Sequence, residues 1–299
     1  MKFNKVTVAG AGVLGSQIAW QIAFRGFQVS VYDAFETGLE SGKALHQQYA
    51  QLFQQQRGAT AAEIEQTFAR LSYTTDLAEA MRDADILSES VPENLEIKQA
   101  FYRDAARCAP AKTVFTTNTS TLLPSQFAES TGRPERFLAL HFAAGVWQHN
   151  IGEVMGHAGT DPQVFQQVLD FAAAIGMVPI PIPIRKEQPG YVINSLVVPF
   201  LSAAADLLLN EVVDFESIDR TWMIGTGSPV GPCAIMDAIG MQTVVNVMKL
   251  LAAHGDPRAG AKAEYFQSNF IDKDKLGMKS GEGFYSYPDP AFLRPGFLR

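Results

Sequence analysis

The sequence predicts an α/β domain with a doubly wound, mostly parallel sheet, followed by an all-α domain. Short apolar segments alternate with helical segments as far as about residue 185, which is typical of a parallel sheet covered by helices. Beyond residue 190 the hydrophobic pattern is helical only. The 299 residues are enough for two domains, which we place at residues 1–185 and 186–299.

A glycine-rich loop lies between the first predicted strand, Phe3–Ala9, and the first predicted helix. Leu14, Ile18 and Ile22, spaced four apart, form the apolar face of that helix. In this setting a GxGxxG loop indicates a Rossmann dinucleotide-binding domain, because its glycines allow a tight turn, close approach of the pyrophosphate and close helix packing. The loop residues expected to bind the cofactor are Gly10, Ala11, Gly12, Val13, Leu14 and Gly15.

An acidic residue ends the second predicted strand, Gln28–Asp33. Asp33 would accept hydrogen bonds from the hydroxyls of the adenosine ribose. A 2′-phosphate there would be repelled by roughly 4 kcal/mol per unit-charge pair at 4 Å, and neither Ala34 nor Phe35 supplies a cation. The sequence therefore predicts NAD rather than NADP as the cofactor. The alternative role of Asp33 is that of an ordinary turn residue at the end of a strand.

A helical hairpin is predicted as an insertion between the second strand and the rest of the sheet. Its helices run from Phe35 to about Arg57 and from Thr60, which begins a capping box with Glu63, to about Arg70. Three prolines exclude the extended segment Val178–Ile184 from the centre of the sheet, so it is an edge strand or the exit from the sheet. The other predicted strands and helices of this domain are Ala84–Val91, Lys112–Thr117, Phe137–Phe142 and Glu153–His157 (strands), and Leu95–Cys108 and Pro162–Ala174 (helices).

The second domain is expected to contain only helices. A glycine- and proline-rich loop at residues 225–232 separates two of them. The helices are predicted at Tyr191–Asn210, Glu216–Ile224, Gly231–Ala253 and in a stretch before Phe270.

Composition and charge exclude several classes of partner. A net charge of −7 argues against binding to nucleic acid or to an anionic membrane. The longest apolar stretch, near Val197–Leu209, is too short for a membrane span and contains Asp206. Cys108 and Cys233 lie far apart without a CxxC pattern, so neither a disulfide framework nor a zinc site is expected. Because no leader pattern precedes the first strand, we expect a protein of the reducing cytoplasm.

One histidine has the setting of a general base for dinucleotide-dependent oxidation of an alcohol. Such a base needs a pKa near neutral, and a histidine held by a carboxylate meets that need. His141 follows the apolar strand residues Phe137–Leu140, and Glu153 begins the next strand, so the two could meet across the crevice. A purely structural histidine is the alternative. The histidines interpreted as surface or loop residues are His46, His149, His157 and His254, and no pair has zinc-site spacing.

Six motifs occur in order over nearly the whole chain. They are Gly10–Gly15 with Asp33, Glu89–Asn94 with Lys98, Thr117–Ser120, Leu140–Phe142 with Glu153, Pro189–Asn194 and Lys279–Tyr285. Together they resemble the L-3-hydroxyacyl-CoA dehydrogenase family. The resemblance implies a Rossmann domain followed by a helical dimerisation domain, NAD as the cofactor, a small-molecule acyl substrate and a homodimer.

The resemblance also implies roles for single residues. His141 would take the proton of the 3-hydroxyl group, and Glu153 would orient and polarise His141. Ser120 and Asn194 would hydrogen-bond the substrate oxygen near the nicotinamide. The residues implied to contact the cofactor outside the glycine-rich loop are Asp33, Glu93, Lys98, Ser120 and Lys279.

Structural roles remain open for several of these residues. Ser120 could cap a helix over Leu122–Phe127, and Asn194 could make a capping or inter-domain hydrogen bond. Glu93 and Lys98, five residues apart near a helix start, could belong to a solvated helix face. Trp222 could be a core residue or a wall of the substrate pocket.

Two departures from the family pattern bear on the substrate. The family has Asn–Pro after its His–Phe pair, whereas this chain has Ala143, Ala144 and Gly145. Ala144 is predicted to lie in the substrate pocket, and it offers no amide to the nicotinamide or the substrate. The family's hairpin is rich in lysine and contacts coenzyme A. Here its first helix carries only Lys43 and Arg57, and two lost charge-assisted bonds weaken binding by roughly 3–6 kcal/mol.

The predicted function is NAD-dependent interconversion of (L)-3-hydroxyacyl and 3-ketoacyl compounds, with a coenzyme A thioester as the family's usual substrate. A non-CoA β-keto or diketo ester, or a 3-hydroxy acid, is the alternative, because the segments around Ala143, Trp147 and Trp222 resemble the diketoreductases of this family. A third interpretation is a crystallin-like NAD-binding protein with little turnover.

Overall fold

The computed structural model describes residues 3–299, which divide after Val192 into two compact units. The N-terminal unit ends at Val192, and the C-terminal unit spans Ile193–Arg299. The division follows the proline-containing extended segment that the sequence analysis placed at the end of the first domain.

The N-terminal unit is built, over its described residues, on one eight-stranded sheet. The strands are β1 (Lys5–Ala9), β2 (Gln28–Tyr32), β3 (Leu71–Thr74), β4 (Ile86–Glu89), β5 (Val114–Thr117), β6 (Phe137–Phe142), β7 (Ile151–Gly156) and β8 (Val178–Ile182). They lie in the order β3-β2-β1-β4-β5-β6-β7-β8, and neighbours are parallel except β6 and β7. This confirms the doubly wound sheet, whose strand order reverses between β1 and β4, where ligands of such sheets bind.

The predicted hairpin is confirmed as two helices inserted between β2 and β3. The fully buried Trp20 packs edge-on against Phe53 and Phe68 of the two hairpin helices, with ring centroids 5.8 and 5.1 Å away. The hairpin is therefore anchored on the helix that follows the glycine-rich loop. The helices of this unit are α1 (Val13–Phe24), α2 (Glu36–Arg57), α3 (Ala61–Ala69), α4 (Leu77–Met81), α5 (Leu95–Cys108) and α6 (Pro162–Ala174).

Two short elements, β3 and α4, were missed by the sequence analysis. β3 has only four residues, and none of them is fully buried, because β3 is an edge strand of the sheet. α4 is five residues long and is capped by Asp76, whose carboxylate accepts from the backbone N–H groups of Ala78 and Glu79. Elements this short give little hydrophobic periodicity, which explains the omission.

The C-terminal unit is helical, as predicted, but one predicted helix was wrong. The segment Gly231–Ala253 forms two helices because Gly240 adopts a φ of 93°, and the two halves meet at 101°. After this break, the N–H of Met241 donates to the carbonyl of Leu276. The helices of this unit are α7 (Ile193–Leu209), α8 (Phe215–Thr226), α9 (Pro232–Ile239), α10 (Met241–Ala253) and α11 (Ala259–Asn269).

No single helix among the described residues is long and apolar enough to cross a membrane. Among these helices, only α9 and α10 taken together, across their sharp bend, reach the length and hydropathy required.

Candidate active site

The three glycines of the loop after β1 meet three different steric demands. Gly10 has a φ of 99°, and a Cβ there would lie 2.4 Å from the carbonyl oxygen of Ser90. A Cβ on Gly15 would lie 1.9 Å from the carbonyl oxygen of Gly10, so α1 can pack this closely only with glycine. A Cβ on Gly12 would meet no described atom within 4 Å. Gly12 therefore borders open space, as a backbone position next to a bound diphosphate requires.

The start of α1 supplies donors to that open space. Its cap residue Gly12 makes no side-chain capping hydrogen bond, and its first turn contains no acidic residue. The first N–H groups of an α-helix have no partner within the helix, and they carry its positive dipole end. The loop and α1 together fit the pyrophosphate of a dinucleotide.

Asp33 lies directly after β2 and faces the glycine-rich loop. Its Oδ2 accepts from the N–H of Ala11 at 2.9 Å, and its Oδ1 accepts from the N–H of Phe35 at 3.1 Å. Each carboxylate oxygen can accept more than one hydrogen bond, so capacity remains for ribose hydroxyls. The carboxylate is thus fixed beside the loop in the position that favours NAD.

His141 and Glu153 lie directly opposite each other on the antiparallel strands β6 and β7. The Nδ1 of His141 is 2.8 Å from Oε2 of Glu153, and the side chains are 7% and 1% exposed. The Oε1 of Glu153 accepts from the N–H of Val192 at 2.8 Å. An ionised carboxylate can only accept, so Nδ1 carries the proton and Nε2 is left as an acceptor.

Two residues that the sequence analysis did not assign to the site also position His141. The ring of Tyr191 stacks on the imidazole with centroids 4.7 Å apart. The Oδ1 of Asn118, at the end of β5, accepts from the N–H of Phe142 at 2.8 Å. Asn118 lies in the motif Thr117–Ser120 and Tyr191 in the motif Pro189–Asn194. Their membership of these two motifs was the sequence feature that could have indicated a role in the site.

Ser120 lies in the loop after β5, where one carboxylate oxygen of Glu93 holds its backbone. The N–H of Ser120 donates to Oε1 of Glu93 at 3.1 Å. No α-helix begins at Ser120, because Leu122–Phe127 contains only a short 3₁₀ turn at Pro124–Gln126. Lys98 is 1% exposed, so the alternative of a solvated helix face is wrong for this residue.

The loop after His141 is tied to both α1 and α2. The N–H groups of Gly145 and Val146 donate to Oε1 of Gln17 at 2.9 and 3.3 Å. The buried ring of Trp147 packs against Tyr49 and Phe53 of α2. Ala144 is exposed in this loop, and its place in a substrate pocket stays a prediction.

Three predicted site residues belong to the C-terminal unit, and their roles stay predictions. Asn194 is in the first turn of α7. Trp222 on α8 is 37% exposed, and its ring lies 4.3 Å from that of Phe200. Lys279 is exposed in a 3₁₀ turn at Met278–Ser280.

The rest of the Lys279–Tyr285 motif has a structural task within the same unit. The carboxylate of Asp237 accepts from the N–H groups of Phe284 and Tyr285 at 2.8 and 2.9 Å. A Cβ on Gly283 would lie 2.0 Å from Oδ1 of Asp237, so glycine is required there. Gly283, Phe284 and Tyr285 therefore hold the C-terminal segment onto α9.

One of the remaining histidines was wrongly interpreted as a surface or loop residue. His46, on α2, is fully buried between α1 and β3. His157 lies in the loop after β7, as expected, although it is 5% exposed, with Nε2 2.9 Å from the carbonyl oxygen of Pro134. His149 and His254 are exposed, as expected. Within residues 3–299, no group of three or more His, Cys, Asp or Glu side chains could hold a metal ion.

The sheet, the glycine-rich loop, Asp33 and the His141–Glu153 pair define a class, the NAD-dependent dehydrogenases with a Rossmann unit followed by a helical unit. The 3-hydroxyacyl-CoA dehydrogenase NAD-binding domain matches residues 5–185, and the C-terminal domain of the same family matches residues 190–287. The chain therefore belongs to the 3-hydroxyacyl-CoA dehydrogenase family. It is an NAD-dependent oxidoreductase that acts on CH–OH donors.

The relatives include 3-hydroxybutyryl-CoA dehydrogenases and a diketoreductase. The chain is 31% identical to a probable 3-hydroxybutyryl-CoA dehydrogenase of Bacillus subtilis (strain 168), over 97% of this chain and 99% of the relative. A solved diketoreductase, described for catalysis on dicarbonyl compounds, is 48% identical with a TM-score of 0.91, over 96% of this chain and 100% of the other. The (S)-3-hydroxybutyryl-CoA dehydrogenase of Ralstonia eutropha is 25% identical with a TM-score of 0.84, over the same shares.

Proposed function

We propose that the protein interconverts 3-hydroxyacyl and 3-ketoacyl compounds, with His141 as the residue that exchanges a proton with the substrate oxygen. The observation that carries this proposal is the buried hydrogen bond of 2.8 Å between Nδ1 of His141 and Oε2 of Glu153. This hydrogen bond leaves Nε2 of His141 as an acceptor near the carboxyl end of β6, and ligands of such sheets bind at the carboxyl ends of the strands.

In this mechanism each group of the N-terminal unit has a separate task. The glycine-rich loop and α1 bind the diphosphate of NAD, which supplies a hydride acceptor when bound. In the oxidative direction Nε2 of His141 takes the proton of the 3-hydroxyl group. The carboxylate of Glu153 stabilises the imidazolium that forms, and in the reverse direction the imidazolium returns the proton to the oxygen. The Ser120 hydroxyl donates a hydrogen bond to the same oxygen.

Two substrate classes follow from the two kinds of relative. A coenzyme A thioester is the substrate named for the dehydrogenases that are 25–31% identical. A dicarbonyl compound is the substrate named for the 48% identical diketoreductase. We propose the second class, a small 3-keto or diketo compound without coenzyme A, because the charges of the hairpin favour it.

The hairpin is poorly suited to the phosphates of coenzyme A. Lys43 lies over the ring of Tyr73, with Nζ 5.3 Å from the centroid, and Arg57 donates to the carbonyl of Trp147 at 2.6 Å. Both cations on α2 are thus engaged within the unit. Residues 36–70 have a net charge of −1, from the acidic Glu36, Glu40, Glu63 and Glu65 and the basic Lys43, Arg57 and Arg70.

One pair of assays tests both parts of the proposal. NADH oxidation is measured with acetoacetyl-CoA and with a simple 3-keto ester, each over a range of concentrations. We expect a higher kcat/KM with the ester. A clear preference for acetoacetyl-CoA would overturn the substrate class and keep the reaction, whereas turnover of neither compound would overturn the reaction and favour an NAD-binding protein without it.

We also propose a homodimer, formed through the C-terminal unit. Large apolar side chains are exposed on this unit, including Leu196 on α7 and Ile224 on α8, which are 66% and 59% exposed. Light scattering after size-exclusion chromatography should give about twice the 32.6 kDa of the chain. A mass of one chain at micromolar concentration would contradict the proposal.

A further inference from the structure

A buried lysine lies behind the loop that carries Ser120. Lys98 on α5 is 1% exposed, and its Nζ donates to Oε1 of Glu89 at 2.5 Å and to the carbonyl of Val91 at 3.2 Å. Its third partner is Oε2 of Glu93 at 3.3 Å. Lys98 thus donates two hydrogen bonds within the protein, forms an ion pair with Glu93 and has almost no exposed surface.

The lysine is held in turn by a fully buried carboxylate. Glu89, at the end of β4, accepts from the hydroxyls of Tyr102 and Thr117 at 2.9 and 2.8 Å, and from the N–H of Val91 at 2.8 Å. These partners come from α5, from the end of β5 and from the turn after β4. A buried carboxylate with this many donors is firmly placed, and its charge is balanced by Lys98.

Glu93 connects Lys98 to the loop after β5. Its Oε1 accepts from the N–H groups of Ser120 and Thr121 at 3.1 and 3.2 Å, and from the hydroxyl of Thr121 at 2.9 Å. The hydroxyl of Thr119 also donates to it. One oxygen thus accepts hydrogen bonds from three consecutive residues. The Ser120 hydroxyl, in contrast, has no hydrogen-bond partner among the described residues.

The charge state of Glu93 agrees with this arrangement. Burial raises the pKa of its carboxyl group, but the hydrogen bonds from Thr119 and Thr121 and the charge of Lys98 lower it more. The net shift is below the ordinary value for glutamate. Glu93 is therefore ionised at neutral pH, and an ionised carboxylate accepts from all four donors.

We propose that Glu93 and Lys98 are positioning residues for Ser120. Lys98, pinned by Glu89, orients the carboxylate of Glu93, and that carboxylate fixes the Thr119–Thr121 loop so that the Ser120 hydroxyl is presented to the substrate oxygen. The part of this inference that concerns catalysis rests on the proposed function, and the part that concerns the order of the loop does not.

Hydrogen–deuterium exchange tests the order of the loop without any substrate. Exchange of the peptide that contains the amides of Ser120 and Thr121 is followed in the wild type and in Glu93→Ala, with the exposed, neighbouring Glu96→Ala as the matched control. We expect exchange to be at least about tenfold faster in Glu93→Ala than in the wild type. In the control variant the exchange rate should equal that of the wild type. Unchanged exchange in Glu93→Ala would overturn the proposal. Lys98→Met, which removes the buried charge at similar length, should show the same acceleration if it folds.

Kinetics then distinguish positioning of Ser120 from direct cofactor binding. Glu93→Ala should lower kcat about tenfold and leave the dissociation constant of NADH within about twofold. In a Ser120→Ala background the same substitution should have almost no further effect on kcat, because the group it positions is gone. A dissociation constant raised about tenfold with kcat unchanged, or effects that add fully in the double variant, would overturn the proposal.

The two failures are separable. If the wild type reduces neither 3-keto compound, the proposed function fails, and the exchange experiment still decides whether Glu93 orders the loop. If the wild type turns over and the exchange of Ser120 and Thr121 is insensitive to Glu93, the positioning role fails alone.

Discussion

Two histidines of the N-terminal unit are buried to a similar degree but are held in opposite ways. His141, near the end of β6, has Nδ1 on the carboxylate of Glu153, and its Nε2 has no hydrogen-bond partner among the described residues. His46, on α2, uses both nitrogens: Nε2 lies 2.9 Å from the carbonyl oxygen of Ser16, and Nδ1 lies 2.7 Å from the hydroxyl of Tyr73. Because a carbonyl only accepts, Nε2 carries the proton, and Tyr73 donates to Nδ1.

The electrostatic surroundings of His46 keep it neutral. Burial lowers the pKa of His46 to about 4, against a smaller opposite effect of the hydrogen bond to Ser16. Burial likewise raises the pKa of Tyr73 to about 12. Burial alone therefore does not make a histidine a base. A carboxylate on one nitrogen and an open second nitrogen are needed, and only the region around His141 supplies both.

The largest expected effect is on catalysis, through Glu153→Gln. The amide has the same shape but no charge to stabilise the imidazolium, so kcat should fall about 10²–10³-fold. The dissociation constant of NADH should change little, because Glu153 is not placed at the glycine-rich loop. Steady-state kinetics and a fluorescence titration with NADH measure both. If folded His46→Gln protein showed a kcat as low as that of Glu153→Gln, the two histidine regions would not differ in their role in catalysis.

The next effect is on stability, through the titration of His46. Its pKa is about 4 in the folded protein and 6.5 in the unfolded chain, so as the pH falls the unfolded chain takes up the proton first. Stability is therefore full above pH 6.5 and is lost as the pH falls from 6.5 towards 4, by about 2–3 kcal/mol from this group.

Chemical denaturation at pH 7 and at pH 4.5 measures this loss. A His46→Gln variant, which cannot titrate at this position, serves as the reference, because every other titrating group is shared. The wild type should lose about 2–3 kcal/mol more than the variant between the two pH values. Equal losses in the two proteins would show that the His46 ring is not held neutral.

A smaller effect is expected from Tyr73→Phe. The change removes the hydroxyl that donates to Nδ1 of His46 and leaves a buried acceptor unsatisfied. The free energy of unfolding at pH 7 should fall by about 1–2 kcal/mol. At the same time kcat should be unchanged, since the His46 region takes no part in proton transfer. A drop in kcat of the folded variant would count against the distinction between the two regions.

The smallest effect is expected at the ring that stacks on His141. Tyr191→Leu removes a stacking contact worth about 0.5–1.5 kcal/mol, and kcat should fall by a few-fold as the imidazole loses one of its restraints. Tyr191→Phe keeps the ring and is the control. If both variants lose activity equally, the hydroxyl rather than the stacked ring positions His141.

Local signals were sufficient for much of the fold. The bounds of α5 and β6 were predicted to the residue, and the capping box of Thr60 and Glu63 forms as expected. The longer elements were found because their hydrophobic periodicity is contained within a single segment. The errors concern the elements that are too short to show periodicity, β3 and α4, and the break at Gly240, where the neighbouring Met241 bonds to the distant Leu276.

The same division applies to the candidate site. His141 and Glu153 were chosen as a pair from the sequence, but their meeting on adjacent antiparallel strands, rather than across the crevice, depends on the pairing of β6 with β7. Lys98 gave the opposite result. A lysine near a helix start indicates a solvated face, and only the fold shows that it is buried beside Glu89.

By itself, the sequence determined the glycine-rich loop, Asp33, the NAD cofactor and the family, because these depend on residue types at fixed spacings along one continuous stretch or on several such stretches in order. The tertiary structure decided which polar groups are buried and with what partners: the open nitrogen of His141, the closed pair of His46 and Tyr73, and the chain of charges from Glu89 through Lys98 to Glu93. The physical reason is that desolvation and charge pairing depend on atoms brought together from distant segments, and these effects determine which side chains can act as bases.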